Sequence, residues 1–205
     1  MMTIILNPDE AMAAIGNPTP SKRELTHERI LDAASRAIRR AGHTGASVAE
    51  VMKEAGLTHG GFYAHFSSRE EMVASAIAYA GVGSGRNLRQ SMEVLQKKGC
   101  SPLRSLVESY LSPGQMAALE TGCVVAALGS EIPRQTDAVR QAANERVSAL
   151  IRLVESVLPA DAGGGLAAHI ASTMVGALQL ARALGGIEGE ALLAANRRIL
   201  AEHYA

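Results

Sequence analysis

An all-α fold is what this sequence predicts, on three observations. Apolar residues fill 47% of the 205 positions, yet aromatic residues make up only 3% and Trp is absent, so Ala, Leu, Val, Ile and Met must build the core. Such side chains suit closely packed helices, whereas strands draw on β-branched and aromatic residues. Apolar positions also recur at spacings of three and four along most of the chain. The third observation is the stretch from Ser47 to Phe66, SVAEVMKEAGLTHGGFYAHF, which reads as two short helices around a tight turn. That is a helix-turn-helix, whose second member can enter the major groove of DNA.

Residues 1 to 20 carry Pro8, Gly16, Pro18 and Pro20 and read as a flexible arm. The opening Met1 to Leu6 is apolar but short and lacks a basic flank, which makes a poor signal peptide. No later uncharged apolar run is long enough to cross a bilayer. Two cysteines, Cys100 and Cys123, do not make a disulfide framework, and a reducing cytoplasm suits them. We expect a cytoplasmic protein without a membrane partner.

Thr26 is a candidate N-cap for the first helix, in which Ile30, Ala33, Ala34, Ala37, Ile38 and Ala41 follow a helical period until Gly42. Arg29, Arg36, Arg39 and Arg40 on its outward side read as a solvated face rather than phosphate ligands. Net charge is zero, so any attraction to nucleic acid has to be local. Lys22 and Arg23, just ahead of this helix, are placed to reach a phosphate or a minor groove, as arms of other helix-turn-helix proteins do.

Ser47 and Glu50 form a capping-box pattern that opens the second helix, with Val48, Val51, Met52 and Ala55 as its apolar stripe. Gly56 ends it in a turn, and Leu57 folds back on the core. Thr58 is the expected cap of the recognition helix, 58 to 66, where Phe62 and Phe66 face inward and Tyr63 outward. Ser67-Ser-Arg-Glu-Glu71 offers two overlapping capping boxes for a fourth helix, whose first amides and Arg69 can face a phosphate. The stripe Val73, Ala76, Ile77, Ala80 then runs into Gly81-Val-Gly-Ser-Gly85, read as a hinge.

The run Gly56 to Glu71, GLTHGGFYAHFSSREE, resembles the signature of the TetR family of bacterial transcriptional regulators: a Thr before the recognition helix, a Phe-Tyr-x-His-Phe block, and Ser-Arg-Glu opening the next helix. The likeness covers about residues 26 to 80. It implies that His59, Gly60 and Gly61 approach base edges, with Thr58 beside them, that Tyr63 and His65 meet phosphates, and that Ser47 belongs to the DNA-contacting set. Two adjacent glycines cost about 1 kcal/mol each in a helix; close backbone approach to DNA and ordinary drift explain them equally well. Ala49 departs from the pattern, since some relatives carry a longer polar residue there.

Beyond the hinge we expect helices at 86 to 98, 101 to 112, 121 to 133, 136 to 158, 166 to 184 and 188 to 203, separated by Gly and Pro breaks. The resemblance makes 21 to 67 the DNA-binding domain and 68 to 205 an effector-binding and dimerisation domain. It also implies a four-helix dimer interface, for which the stripe Val139, Ala142, Arg146, Leu150, Leu153, Val157 and its partner Ala168, Ala171, Val175, Leu178, Arg182 are the candidates. A small-molecule pocket between the central helices would draw on Met92, Tyr110, Met116, Cys123, Leu128, His169, Thr173 and Met174.

The six His and two Cys show no metal-ligand spacing, and neither a cofactor nor catalysis is expected. The function implied is a homodimeric repressor that an effector releases from its operator. The alternative is an all-helical enzyme or small-molecule carrier that has kept a helix-turn-helix.

Overall fold

The computed structural model describes residues 20–45 and 47–204. The arm expected over residues 1 to 20 lies outside them except for Pro20. Among the described residues the secondary structure is helical throughout: α1 Lys22–Ala41, α2 Val48–Glu54, a 3-10 segment His59–Ala64, α3 Arg69–Gln96, α4 Pro102–Tyr110, α5 Pro113–Ala117, α6 Val124–Leu128, a 3-10 turn Ile132–Arg134, α7 Asp137–Glu155, α8 Leu166–Leu184 and α9 Gly186–Tyr204. No described helix is long and apolar enough to cross a membrane.

α1 begins a turn earlier than expected. Ser21 Oγ accepts from the Glu24 N–H at 3.2 Å while Glu24 Oε2 accepts from the Ser21 N–H at 2.7 Å, a complete capping box. Thr26 is therefore interior, its hydroxyl donating to the Lys22 carbonyl at 2.8 Å. The apolar period starts only at Ile30, so the polar first turns gave no periodic signal. Gly42, at φ +74°, ends the helix, and a side chain there would run into the Glu131 carboxylate. That carboxylate accepts from the His43 N–H at 2.9 Å.

α2 is capped by Ser47, whose Oγ accepts from the Glu50 N–H at 3.2 Å and donates to Glu50 Oε2 at 2.7 Å. Gly56 sits at φ +68°, and the Leu57 N–H closes back on the Met52 carbonyl at 2.8 Å, as a helix-ending turn requires. The recognition element differs from expectation in type. It is a 3-10 segment rather than an α-helix, and Thr58, although extended, makes no side-chain cap bond. Two adjacent glycines weaken the preference for an α-helix here, and at six residues the segment is long for the tighter form.

The expected hinge is a correction. α3 runs without a break through Gly81 to Gly85. Packing overrides propensity here: Val73, Ala76, Ile77 and Ala80 are buried before the glycines, and Leu88 and Met92 after them. Of the two capping boxes expected at its start, one forms in modified register. Ser68 Oγ takes the Glu71 N–H at 3.1 Å, while Glu71 Oε2 takes both the Ser67 N–H and hydroxyl at 2.7 and 2.5 Å. The helix expected over 121 to 133 is the short α6 followed by the 3-10 turn.

α3 belongs to two apolar clusters. One gathers Ile30, Ile38, Met52, Phe62, Phe66 and Ile77 under the helix-turn-helix and extends to Val124, Leu128, Val139 and Ala143. The other joins Leu88, Leu106, Tyr110, Ile170, Leu178 and Leu193. Each large side chain so buried contributes about 1.5–3 kcal/mol.

Candidate nucleic-acid interface and effector cavity

Phe62 and Phe66, 1% and 2% exposed and stacked at 5.7 Å, anchor the 3-10 segment to α1 and α2. This leaves Thr58, His59 and Gly60 exposed, and Tyr63 71% exposed with its ring edge-on to Phe62. A Cβ at Gly60 would meet nothing within 4 Å, and one at Gly61 would only touch Met52 Cε at 3.6 Å. Packing within the chain thus does not demand glycine at either position.

The other sequence-predicted DNA contacts are placed differently. His65 is half-buried, its ring 5.8 Å from that of His27, which stacks on Phe66 at 4.7 Å. Burial, then the neighbouring His27 and Arg23, push its pKa below the ordinary histidine value. Arg23 is exposed but donates to the Ala64 carbonyl at 3.1 Å, tying α1 to the end of the recognition segment. Lys22 is exposed, and no ion pair is seen for it among the described residues. Ser47 is half-buried with its hydroxyl engaged by Glu50, and the Arg69 guanidinium donates to the His43 carbonyl.

The α1 arginines are bound to the chain rather than simply solvated. Arg36 pairs with Asp32 at 3.1 Å, Arg40 with Glu54 and Glu120 at 3.1 and 3.0 Å, and Arg29 donates to the Ala55 carbonyl at 2.5 Å. Arg39 reaches the Gly122 carbonyl at 3.2 Å.

A cavity of about 160 Å³ lies between α3, α6 and α7. Gly81, Ser84, Gly85 and Leu88 form one wall, Val124 and Val125 another, and Arg146, Leu150 and Leu153 a third, with Tyr110, Gln115 and Cys123 at the remaining side. Two of the glycines mistaken for a hinge, Gly81 and Gly85, are therefore part of the wall. A Cβ at Gly81 would lie 2.1 Å from Arg146 Cδ, so the arginine stem crosses α3 where a side chain is missing.

Of the effector residues expected from sequence, Tyr110 and Cys123 line this cavity. Met92 and Met174 are buried in the second cluster, Met116 packs on its edge, and Leu128 belongs to the first. His169 is exposed and Thr173 half-buried, its hydroxyl donating to the His169 carbonyl at 3.0 Å; neither lines the cavity. Sequence reading missed Gly81, Ser84, Gly85, Arg89 and Gln115, and the signal was the glycine run taken as a breaker. Among the described residues no group of three or more His, Cys, Asp or Glu could hold a metal ion.

Residues 30–76 match the family model described as bacterial regulatory proteins, tetR family. The matched segment spans most of α1, all of α2 and the 3-10 segment, and the start of α3, and there the chain is similar to tetR-family regulators. Solved structures with the same fold include a TetR-family transcriptional regulator from Agrobacterium tumefaciens, 22% identical over 90% of this chain and 100% of that one, with a TM-score of 0.72. A TetR transcriptional regulator from Chloroflexus aurantiacus J-10-FL is 19% identical over 89% of this chain and 95% of its own, also at 0.72. The regulatory protein TetR from Rhodobacter sphaeroides is 21% identical over 88% and 100%, at 0.68. No curated protein matches the sequence. The solved structures show that the fold is shared along most of the chain, and the match over residues 30–76 supports a DNA-binding regulator.

The residues proposed from sequence for dimerisation mostly face inward. Val139, Ala171 and Leu178 are buried, Ala142, Val157 and Val175 pack on the clusters, and Ala168 is half-buried. Arg146, Leu150 and Leu153 line the cavity, and Arg182 donates to the Gln115 and Ala118 carbonyls at 2.9 and 3.2 Å. The stripe chosen from sequence is the one that packs within the subunit, because each of these helices carries more than one apolar face. The exposed apolar face of α8 instead carries Leu180 and Leu184, 60% and 52% exposed, with Ile187 at 87% just beyond it.

Proposed function

We propose that this protein is a homodimeric repressor, acting in the cytoplasm, whose C-terminal half, from about residue 68 onward, binds a small molecule that releases the N-terminal head from its operator. One observation carries this reading: the stretch 115–125 touches both the cavity and α1 of the N-terminal head. Gln115, Cys123, Val124 and Val125 line the cavity, while Glu120 and the Gly122 carbonyl hold Arg40 and Arg39 of α1. A molecule that displaces this stretch alters the seat of α1, and through it the angle of the head.

In this reading Thr58, His59, Gly60 and Gly61 approach bases and Tyr63 meets a phosphate, with Lys22 and Arg23 adding backbone contacts. The Leu180, Leu184 and Ile187 face meets its twofold copy, which sets two heads roughly 34 to 36 Å apart. Among the described lining residues there is no His, Asp or Glu to serve as a general base, which favours binding over catalysis.

Gel shifts with the DNA flanking the protein's own gene, at several salt concentrations, test the reading. Retardation that weakens linearly on a log–log plot against salt is expected. Binding that ignores salt, or none to that DNA, overturns it.

A further inference from the structure

The lining of the cavity combines two arginines with apolar side chains. Arg89 and Arg146 both reach it, and no described lining residue is acidic. Arg146 is held in place by the missing side chain at Gly81, and its Nε is buried without a hydrogen-bond partner. Its ion-pair neighbour, Glu145, stands 3.7 Å away, is the more exposed of the two and does not line the cavity. Tyr110 is 2% exposed, and its hydroxyl has no oxygen or nitrogen hydrogen-bond partner; its neighbours are the Cys123 thiol, a poor acceptor, and the Arg182 guanidinium, which can only donate. Burial pushes the Tyr110 pKa well above its ordinary value, so the hydroxyl keeps its proton and donates.

Two unmet donors, one of them cationic, on residues that line a partly apolar space specify the charge of what completes them. A buried carboxylate is stable only when paired and hydrogen-bonded, and a guanidinium with a phenol hydroxyl supplies both. A cation would find no counter-charge among the described lining residues, and a fully apolar molecule would leave the donors unmet. The apolar part of the lining, Leu88, Val124, Leu150 and Leu153, suits a flat or short hydrocarbon body. A volume of about 160 Å³ resembles a cavity that accommodates a single benzene-sized molecule.

We infer that the cavity binds a small monocarboxylate with a compact apolar body, of about the size of benzoate, its carboxylate on Arg146 and the Tyr110 hydroxyl. This rests on the reading of the cavity as the effector site, but it is tested without DNA. Calorimetric titration of the full chain with benzoate, hexanoate, benzamide and benzamidine is the measurement. At least one carboxylate should bind about tenfold or more tighter than neutral benzamide, with benzamidine weaker still.

Arg146→Gln should remove that preference and leave benzamide unchanged. Tyr110→Phe, which keeps the ring and deletes an unmet hydroxyl, should fold normally and weaken the carboxylate severalfold. If neither carboxylate binds, if benzamide or benzamidine binds as well, or if Tyr110→Phe leaves carboxylate affinity untouched, the inference fails. Carboxylate binding that does not release DNA would instead overturn the effector-release reading and leave this one standing.

Discussion

Gly60 shows how a single absent side chain separates stability from function. Nothing in the subunit occupies the space its Cβ would take, so Gly60→Ala should leave the melting temperature unchanged or slightly raised. If the backbone there approaches base edges, the same methyl should weaken operator binding by about tenfold or more, roughly 1.4 kcal/mol. Unchanged affinity in a gel shift would remove this segment from the DNA interface.

His43 makes a second residue-scale case, since its backbone is held from two sides, by Glu131 at the N–H and by Arg69 at the carbonyl. Burial first, and Arg69 second, push its pKa below 6.5, against the opposing pull of Glu131 and Glu70. A histidine so depressed takes its proton more readily when unfolded. Its contribution is therefore complete above about pH 6.5 and is lost as pH falls through that value toward the lower folded-state pKa. Denaturation midpoints should fall between pH 7 and 5.5, and His43→Gln should flatten part of that slope; an identical slope in the variant would sink the assignment.

At the level of elements, α3 holds the clearest contrast. Gly83 faces open space, so Gly83→Ala should stabilise the helix by about 0.5–1 kcal/mol. A gain of that size raises the melting temperature by roughly 1–4 °C in a domain of this length. Gly81→Ala has the same propensity benefit but drives Arg146 from its path, so it should melt below Gly83→Ala. Equal melting curves would mean the crossing of Arg146 is unimportant.

The same helix marks the limit of what could be read from sequence. Ser47, Gly56, Phe62 and Phe66 announced the head because their signals are local: a hydroxyl three residues before a carboxylate, a glycine after a stripe, two rings four apart. The path of Arg146 over Gly81 joins positions 65 residues apart, and no local pattern encodes it. Without that contact the glycines could only be read by propensity, as a break.

For the molecule as a whole, the question is which apolar surface is left over once the subunit has folded. Periodicity found the stripe with Ala171 and Leu178, but these are closed inside, and the face left open on α8 carries Leu180 and Leu184. His169, taken at first for a pocket residue, is exposed on that same helix. A stable interface buries at least about 1,000 Å² with an apolar centre, and large exposed side chains are what such a centre needs. Leu184→Glu should leave the helical circular dichroism intact, shift sedimentation from dimer to monomer, and reduce operator affinity by an order of magnitude or more. A dimer that survives this change would place the twofold elsewhere.

Because one unbroken rod contributes to both apolar clusters, the two halves share a beam rather than a joint. Heat should then dismantle head and body as one event, and whatever tilts the far end of that beam tilts the near end with it. On the reading proposed above, a messenger molecule settling among the glycines would not need to unlatch anything: it would push on a lever already gripped at the other end.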